Sequence, residues 1–171
     1  MSYKQKLSEI TTFIFDVDGV LTNGNVILFK DEVVRTLNSR DGYAIQHAAK
    51  KGFKILVITG GNSIEVKHRL LKLGATDVRL KSSDKLTVYN ELKKKYNFLD
   101  GEVLYMGDDI PDYPVMKEVG IATCPQDAAV EIKEIAHYHS PYTGGNHCVR
   151  DVIEQTLRVQ GKWFENDSFQ W

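Results

Sequence analysis

Asp16 and Asp18, with one residue between them, stand directly after the apolar run FIF (13–15) and just before Gly19. Asp108 and Asp109 follow a second apolar strand-like run, EVLYMG (102–107). Isolated carboxylates beside a buried strand carry a large desolvation cost unless something pairs with them. If Asp16, Asp108 and Asp109 share one rim, they need a cation to coexist. An all-oxygen set with few ligands suits Mg²⁺, which keeps several waters and takes one or two carboxylates plus a substrate phosphate. The expected protein share is the side chains of Asp16 and Asp108 with the backbone carbonyl of Asp18.

With such an ion in place, Asp16 can act as a nucleophile, because a carboxylate that forms an aspartyl-phosphate splits one hard displacement into two easier ones. Asp18 then protonates the leaving oxygen and takes a proton from the hydrolytic water, help worth about 10²–10⁴ in rate. The transferring phosphoryl group needs fixed donors for its equatorial oxygens. Thr59 offers a hydroxyl, the Gly60–Gly61 turn offers backbone N–H groups, and Lys85 offers a full positive charge. Taken singly, GDDIPD (107–112) reads equally well as a turn and cap sequence. A lone lysine at a helix start is usually solvated, yet Lys85 opposes the helix dipole there.

The elements that must position these groups alternate. Strands are expected at 11–18, 53–59, 77–80, 102–107 and 121–124, with a last short one at 137–140. Helices are expected from Tyr43 to Gly52, from Asn62 or Ser63 to Gly74, over 85–96, before Gly120, over 128–135 and from Cys148 onward. Two β-rich runs, 25–29 and 33–38, are joined by Lys30, Asp31 and Glu32 and suggest a hairpin. This alternation indicates an α/β fold, a Rossmann-like parallel sheet flanked by helices with the hairpin after its first strand. In such sheets the site lies at the carboxyl ends of the strands, near the switch in strand order. Asp16, Asp18, Thr59, Asp108 and Asp109 all fall at strand ends, and Lys85 opens a helix.

Composition sets the frame. The 171 residues are long enough for one domain with a sizeable core. A formal net charge of −1 gives no general attraction to nucleic acid or to an anionic membrane. No apolar stretch approaches the roughly 20 residues needed to span a bilayer. The polar start MSYKQKLSEI lacks a secretory core, so a cytoplasmic protein is expected. Cys124 and Cys148 are too few and too far apart for a disulfide framework or a zinc site.

DVDGV (16–20), TG (59–60), Lys85 and GDDIPD (107–112), in this order, resemble the haloacid dehalogenase superfamily of phosphohydrolases. The resemblance implies an aspartate nucleophile at Asp16, an acid/base at Asp18, phosphate-binding roles for Thr59 and Lys85, and metal-binding acids at Asp16 and Asp108 with Asp109 in support. An aspartate at the second place fits its phosphatases and phosphomutases. Many members carry a cap domain, but here the stretches between Asp18 and Thr59 and between Thr59 and Lys85 are already filled by the expected elements.

Within that superfamily, NSRDGYAI (38–45) and the tail TGGNHCVRDV (143–152) with LRVQGKW (157–163) are similar to the capless 3-deoxy-D-manno-octulosonate 8-phosphate (KDO 8-P) phosphatases of lipopolysaccharide synthesis. That likeness implies a small phosphorylated sugar acid as substrate. It also implies a homotetramer whose hairpins (25–38) pack together and whose C-terminal tails (160–171) close neighbouring sites. By the same likeness Asn38, Arg40, Asp41, Gly42, Arg69 and Lys85 line the substrate pocket together with Asp18, Thr59 and Gly60. The chain departs from that family at Gly61, Gln46 and Asn146, where basic residues are expected. A nonulosonate 9-phosphate is therefore the rival substrate. A phospho-accepting signalling domain would place its acceptor aspartate alone on a later strand, and an idle subunit would not keep the whole set. His147, in the glycine-rich loop, is a further candidate substrate contact.

Overall fold

The computed structural model describes residues 2–171. Its main sheet has six parallel strands in the order β5-β4-β1-β6-β7-β8. These are β1 (Thr12–Phe15), β4 (Lys54–Ile58), β5 (Asp77–Arg79), β6 (Val103–Met106), β7 (Ile121–Cys124) and β8 (Tyr138–His139). A separate antiparallel hairpin, β2 (Ile27–Phe29) and β3 (Glu32–Val34), leaves the chain just after β1.

The central strands are apolar at nearly every position because both of their faces are covered. Alternation sends Phe13 and Phe15, Ile55 and Val57, and Leu104 and Met106 into one core layer. There they meet α2 (Ser39–Lys50), α3 (Ile64–Lys72) and α7 (Cys148–Val159). Ile14, Leu56, Ile58, Val103 and Tyr105 enter the opposite layer, under α4 (Lys85–Tyr96), α5 (Tyr113–Met116) and α6 (Val130–Ile135). A remaining helix, α1 (Tyr3–Lys6), precedes β1.

Helix starts follow capping chemistry. Asn38 accepts from the N–H groups of Arg40 and Asp41, Ser63 from Val66, and Asp84 from Thr87. The Asn38 cap starts α2 at Ser39, four residues before the expected Tyr43, and the second hairpin strand spans only Glu32–Val34. The hairpin turn is Lys30–Asp31, with Lys30 at φ 54°. Between β1 and α2 the chain inserts only a helical turn (Val17–Leu21) and the hairpin, and between β4 and α4 only α3 and β5, so no cap domain intervenes. No helix among the described residues is long and apolar enough to cross a membrane.

Residues 160–171 are expected to reach a neighbour. Here they fold back on α2 of their own subunit. Lys51 pairs with Glu165 at 2.5 Å and with Asp167 at 2.7 Å, and the Tyr43 hydroxyl donates to the Ser168 carbonyl. Trp163 is buried against Tyr43 and His47.

Candidate active site

The chain leaves β1 first toward β4 and β5, then crosses back to β6 on the other side of β1, so the switch in strand order lies at β1. Phe15 is level with Val57 and with Met106, which brings the next residues of all three strands to one edge. Asp16, Thr59 and Asp108 emerge there, and Lys85 reaches the same place from the start of α4. They line a cleft of about 490 Å³ together with Asp18, Gly60 and Asp109.

Asp16 and Lys85 are both buried, and their Oδ2 and Nζ atoms lie 3.0 Å apart. The other oxygen of Asp16 accepts from the Val17 N–H at 2.7 Å. Lys85 also touches Asp112 Oδ1 at 2.7 Å, the same oxygen that accepts from the Tyr105 hydroxyl at 2.6 Å. The second oxygen of Asp112 accepts from the Asp108 N–H at 3.0 Å. Burial pushes Asp16 up to about 7, with Asp112 adding to the rise and Lys85 opposing it. Asp108 is pushed up to about 8 by burial and then by Asp16 and Asp112. Burial works against the Lys85 charge, but Asp112 and Asp16 outweigh it and hold its pKa above the ordinary lysine value.

Two glycines permit this approach. Gly19, at φ +85°, faces Asp108 so closely that a Cβ there would lie 1.9 Å from Asp108 Oδ2. A Cβ at Gly107 would lie 2.4 Å from that of Asp112.

Asp16, Asp108 and Asp112 each offer an oxygen within 4.8 Å of the others. One lysine faces these three carboxylates, and Asp108 Oδ1 is buried without a hydrogen-bond partner. An all-oxygen, charge-deficient set with an orphaned acceptor fits a small divalent cation. The sequence reading overlooked Asp112, although it lies one helical turn beyond Asp108 in the GDDIPD stretch it singled out. Asp109 stands in the cleft wall outside this trio, and its side chain caps the following turn through Ile110 N–H at 2.8 Å.

The remaining expected site residues are distributed more widely. Thr59 is buried at the cleft, and its hydroxyl oxygen accepts from the Gly61 N–H at 3.1 Å. The Gly61 amide, expected as a free donor, is therefore engaged. Asp18 carries a partner that sequence reasoning missed, Arg35, which approaches from beyond β3 with Nε 2.6 Å from Oδ1. No local pattern announces a pairing between residues on two sides of a hairpin.

Asn38, Asp41, Gly42 and Arg69 surround a separate small cavity of about 80 Å³, and Arg40 lines a cleft beside Tyr43, Arg150 and Trp163. Within one subunit these five lie outside the Asp16 cleft. Asp41 is buried and accepts from the Arg150 and His147 N–H groups at 2.8 and 3.3 Å, tying α2 to the start of α7. Gly42 faces Leu73, 3.3 Å from where a Cβ would stand. His147 stands beside Tyr142 and away from the cleft.

The profile of haloacid dehalogenase-like hydrolases matches residues 73–153. The 3-deoxy-D-manno-octulosonate 8-phosphate phosphatase KdsC of Escherichia coli (strain K12) is 35% identical over 158 residues, which cover 92% of this chain and 84% of that protein. This chain belongs to the haloacid dehalogenase-like phosphatases. The Yersinia pestis 3-deoxy-D-manno-octulosonate 8-phosphate phosphatase superposes with a TM-score of 0.90 at 34% identity, over 93% of this chain and 86% of that one. The Moraxella catarrhalis phosphatase of the same name, solved with magnesium, phosphate and KDO, gives a TM-score of 0.90 at 30% identity, over 97% and 94% of the two chains. The expected family and capless sheet are thus both met.

Proposed function

We propose that this phosphatase hydrolyses 3-deoxy-D-manno-octulosonate 8-phosphate through an aspartyl-phosphate on Asp16. The observation that carries the reading is the buried Asp16–Lys85 contact at 3.0 Å, at the floor of a cleft that also holds Thr59 and Asp18. Similarity to phosphatases named for that substrate supports the sugar acid. Asp16 attacks phosphorus as the bond to the sugar oxygen breaks, and Asp18 gives that oxygen its proton. Asp18 then takes a proton from water, which attacks the aspartyl-phosphate, releases phosphate and restores the Asp16 carboxylate. Lys85 and the Thr59 hydroxyl hold the equatorial oxygens where charge develops. Asp16, Asp108 and Asp112, with the Asp18 carbonyl, are the groups that would hold Mg²⁺. When bound, the ion screens the anionic nucleophile from the anionic phosphate.

The active form in this proposal is a cytoplasmic homotetramer. The hairpin exposes Ile27, Leu28, Phe29 and Val33, an apolar patch of the kind that marks protein interfaces. Association there is the route by which Arg40 and Arg69 would reach a neighbour's substrate.

A Mg²⁺-dependent phosphatase screen across phosphorylated sugar acids tests the assignment. The KDO 8-phosphate is expected to be preferred over the nonulosonate 9-phosphate and over an aryl phosphate. Equal rates on all three would sink the substrate. Failure of beryllium fluoride to lodge beside Asp16 would sink the covalent step.

A further inference from the structure

Arg35 closes a two-pronged fork on Asp18. Its Nε donates to Oδ1 at 2.6 Å and its Nη2 donates to Oδ2 at 3.1 Å. The Arg35 side chain is only 10% exposed, whereas that of Asp18 is 36% exposed and open to the cleft. A guanidinium carries five N–H donors. The fork uses two of them, and no other acceptor among the described residues takes the rest. Gly61 leaves the space for this arm. A Cβ there would stand in van der Waals contact with the fork, 3.5 Å from both Arg35 Nη2 and Asp18 Oδ2.

The fork has a consequence for the chemistry just described. Each oxygen of Asp18 accepts one of these bonds, so while the fork is closed the carboxylate is fixed toward Arg35 and must turn from it to serve the leaving oxygen. The Asp18 side of the pair is open to the cleft, so a ligand entering there can compete for it. A second carboxylate offered to the same guanidinium exchanges like for like, with the planar, bidentate match that arginine favours.

Resting on the assignment of Asp18 as the proton carrier, we propose that Arg35 is a positioning and specificity residue that transfers its guanidinium from Asp18 to the carboxylate of an acidic phosphomonoester. The acidic substrate releases its own acid/base group. A neutral phosphomonoester meets Asp18 still held.

The test compares wild type, Arg35→Gln and Arg35→Lys on a phosphorylated sugar acid and on p-nitrophenyl phosphate, both with Mg²⁺, with kcat and KM read separately. For the sugar acid, Arg35→Gln is expected to lower kcat/KM by about 10–100-fold, the loss of one charge-assisted contact, mostly through KM. Arg35→Lys should restore part of that loss. For the aryl phosphate kcat should rise in Arg35→Gln, because Asp18 is no longer held. The phosphate-free sugar acid should inhibit aryl-phosphate hydrolysis by the wild type, and lose that effect in Arg35→Gln. Circular dichroism and melting confirm that the variants fold.

An equal loss on both substrates, or no change on either, overturns the proposal. If the wild type prefers the sugar acid and Arg35→Gln keeps that preference, only the role of Arg35 falls. A wild type with no preference for any acidic phosphate defeats the substrate assignment, and Arg35 as its reader falls with it.

Discussion

At the carboxyl edge of β1 and β6, Asp16, Asp108 and Asp112 share one lysine, and Asp16, Asp112 and Lys85 are buried. A few residues further along the chain, the β2–β3 hairpin pairs only with itself and leaves Leu28 77% and Phe29 58% exposed. The first region holds excess charge in a low-dielectric setting where Asp16, Asp112 and Lys85 are each fixed by at least two partners. The second holds excess apolar surface in water, where little fixes it. Each is incomplete in its own currency of interaction, one lacking positive charge and the other lacking a covering surface. The charged cluster is thus assembled within one chain, while in the proposed assembly the reach toward the rest of the substrate falls to the hairpin and its surroundings.

Removing the nucleophile breaks the comparison at its strongest point. Asp16→Asn is expected to abolish turnover of every phosphomonoester, read by phosphate release. The fold should survive, because the change takes away one of the carboxylates competing for Lys85; a variant that turns over like wild type would contradict the nucleophile. Lys85→Ala should remove turnover as well and, without metal, lower stability by about 3 kcal/mol, since it leaves buried carboxylates unpaired. Urea denaturation in EDTA reads that loss, and an unchanged midpoint would mean that the lysine is not the cluster's counter-charge.

The same charge deficit predicts a response to metal and pH. In the metal-free chain the folded pKa values of Asp16 and Asp108, about 7 and about 8, lie above those of unfolded carboxylates. The folded state therefore holds more protons than the unfolded state from about pH 4 upward, and its stability should fall as pH rises to about 8. Mg²⁺ favours the ionised carboxylates, so it should flatten this slope and add about 2.7 kcal/mol when present at about 100 times its dissociation constant. Thermal melts across pH, with and without Mg²⁺, check both. A metal-free protein that gains stability toward pH 8 would refute the deficit.

The smallest expected effect belongs to the hairpin. Leu28→Lys should change subunit stability by no more than about 0.5 kcal/mol, as exposed substitutions do. It should nevertheless dissociate the assembly in sedimentation and slow the sugar-acid reaction more than aryl-phosphate hydrolysis. An assembly unchanged by Leu28→Lys would place the interface elsewhere.

Much of this was legible from residue order. Apolar runs ending in aspartate marked β1 and β6, and the alternation of runs and caps gave the parallel sheet, because strands buried on both faces must be apolar throughout. The positions of Asp16, Thr59, Lys85 and Asp108 at one edge followed from that sheet and its topology. The helix starts were less legible, since the Asn38 cap lies ahead of the apolar stripe that signals α2. The tail's contacts were not legible either, because a sequence does not say that Trp163 will be buried or that Lys51 will meet Glu165 and Asp167.

The sequence by itself determined which chemical groups stand at the strand ends, and hence the kind of reaction, because local periodicity and chain order carry that information. Only the tertiary structure decided which groups pair. It brought Asp112 rather than Asp109 beside Asp16 and Asp108, sent Asp41 to the start of α7, and closed Arg35 on Asp18 across the space left by Gly61. The physical reason is that ion pairs and orphaned acceptors depend on distances of a few ångströms between segments far apart in the chain. Packing fixes those distances, and no local pattern encodes them.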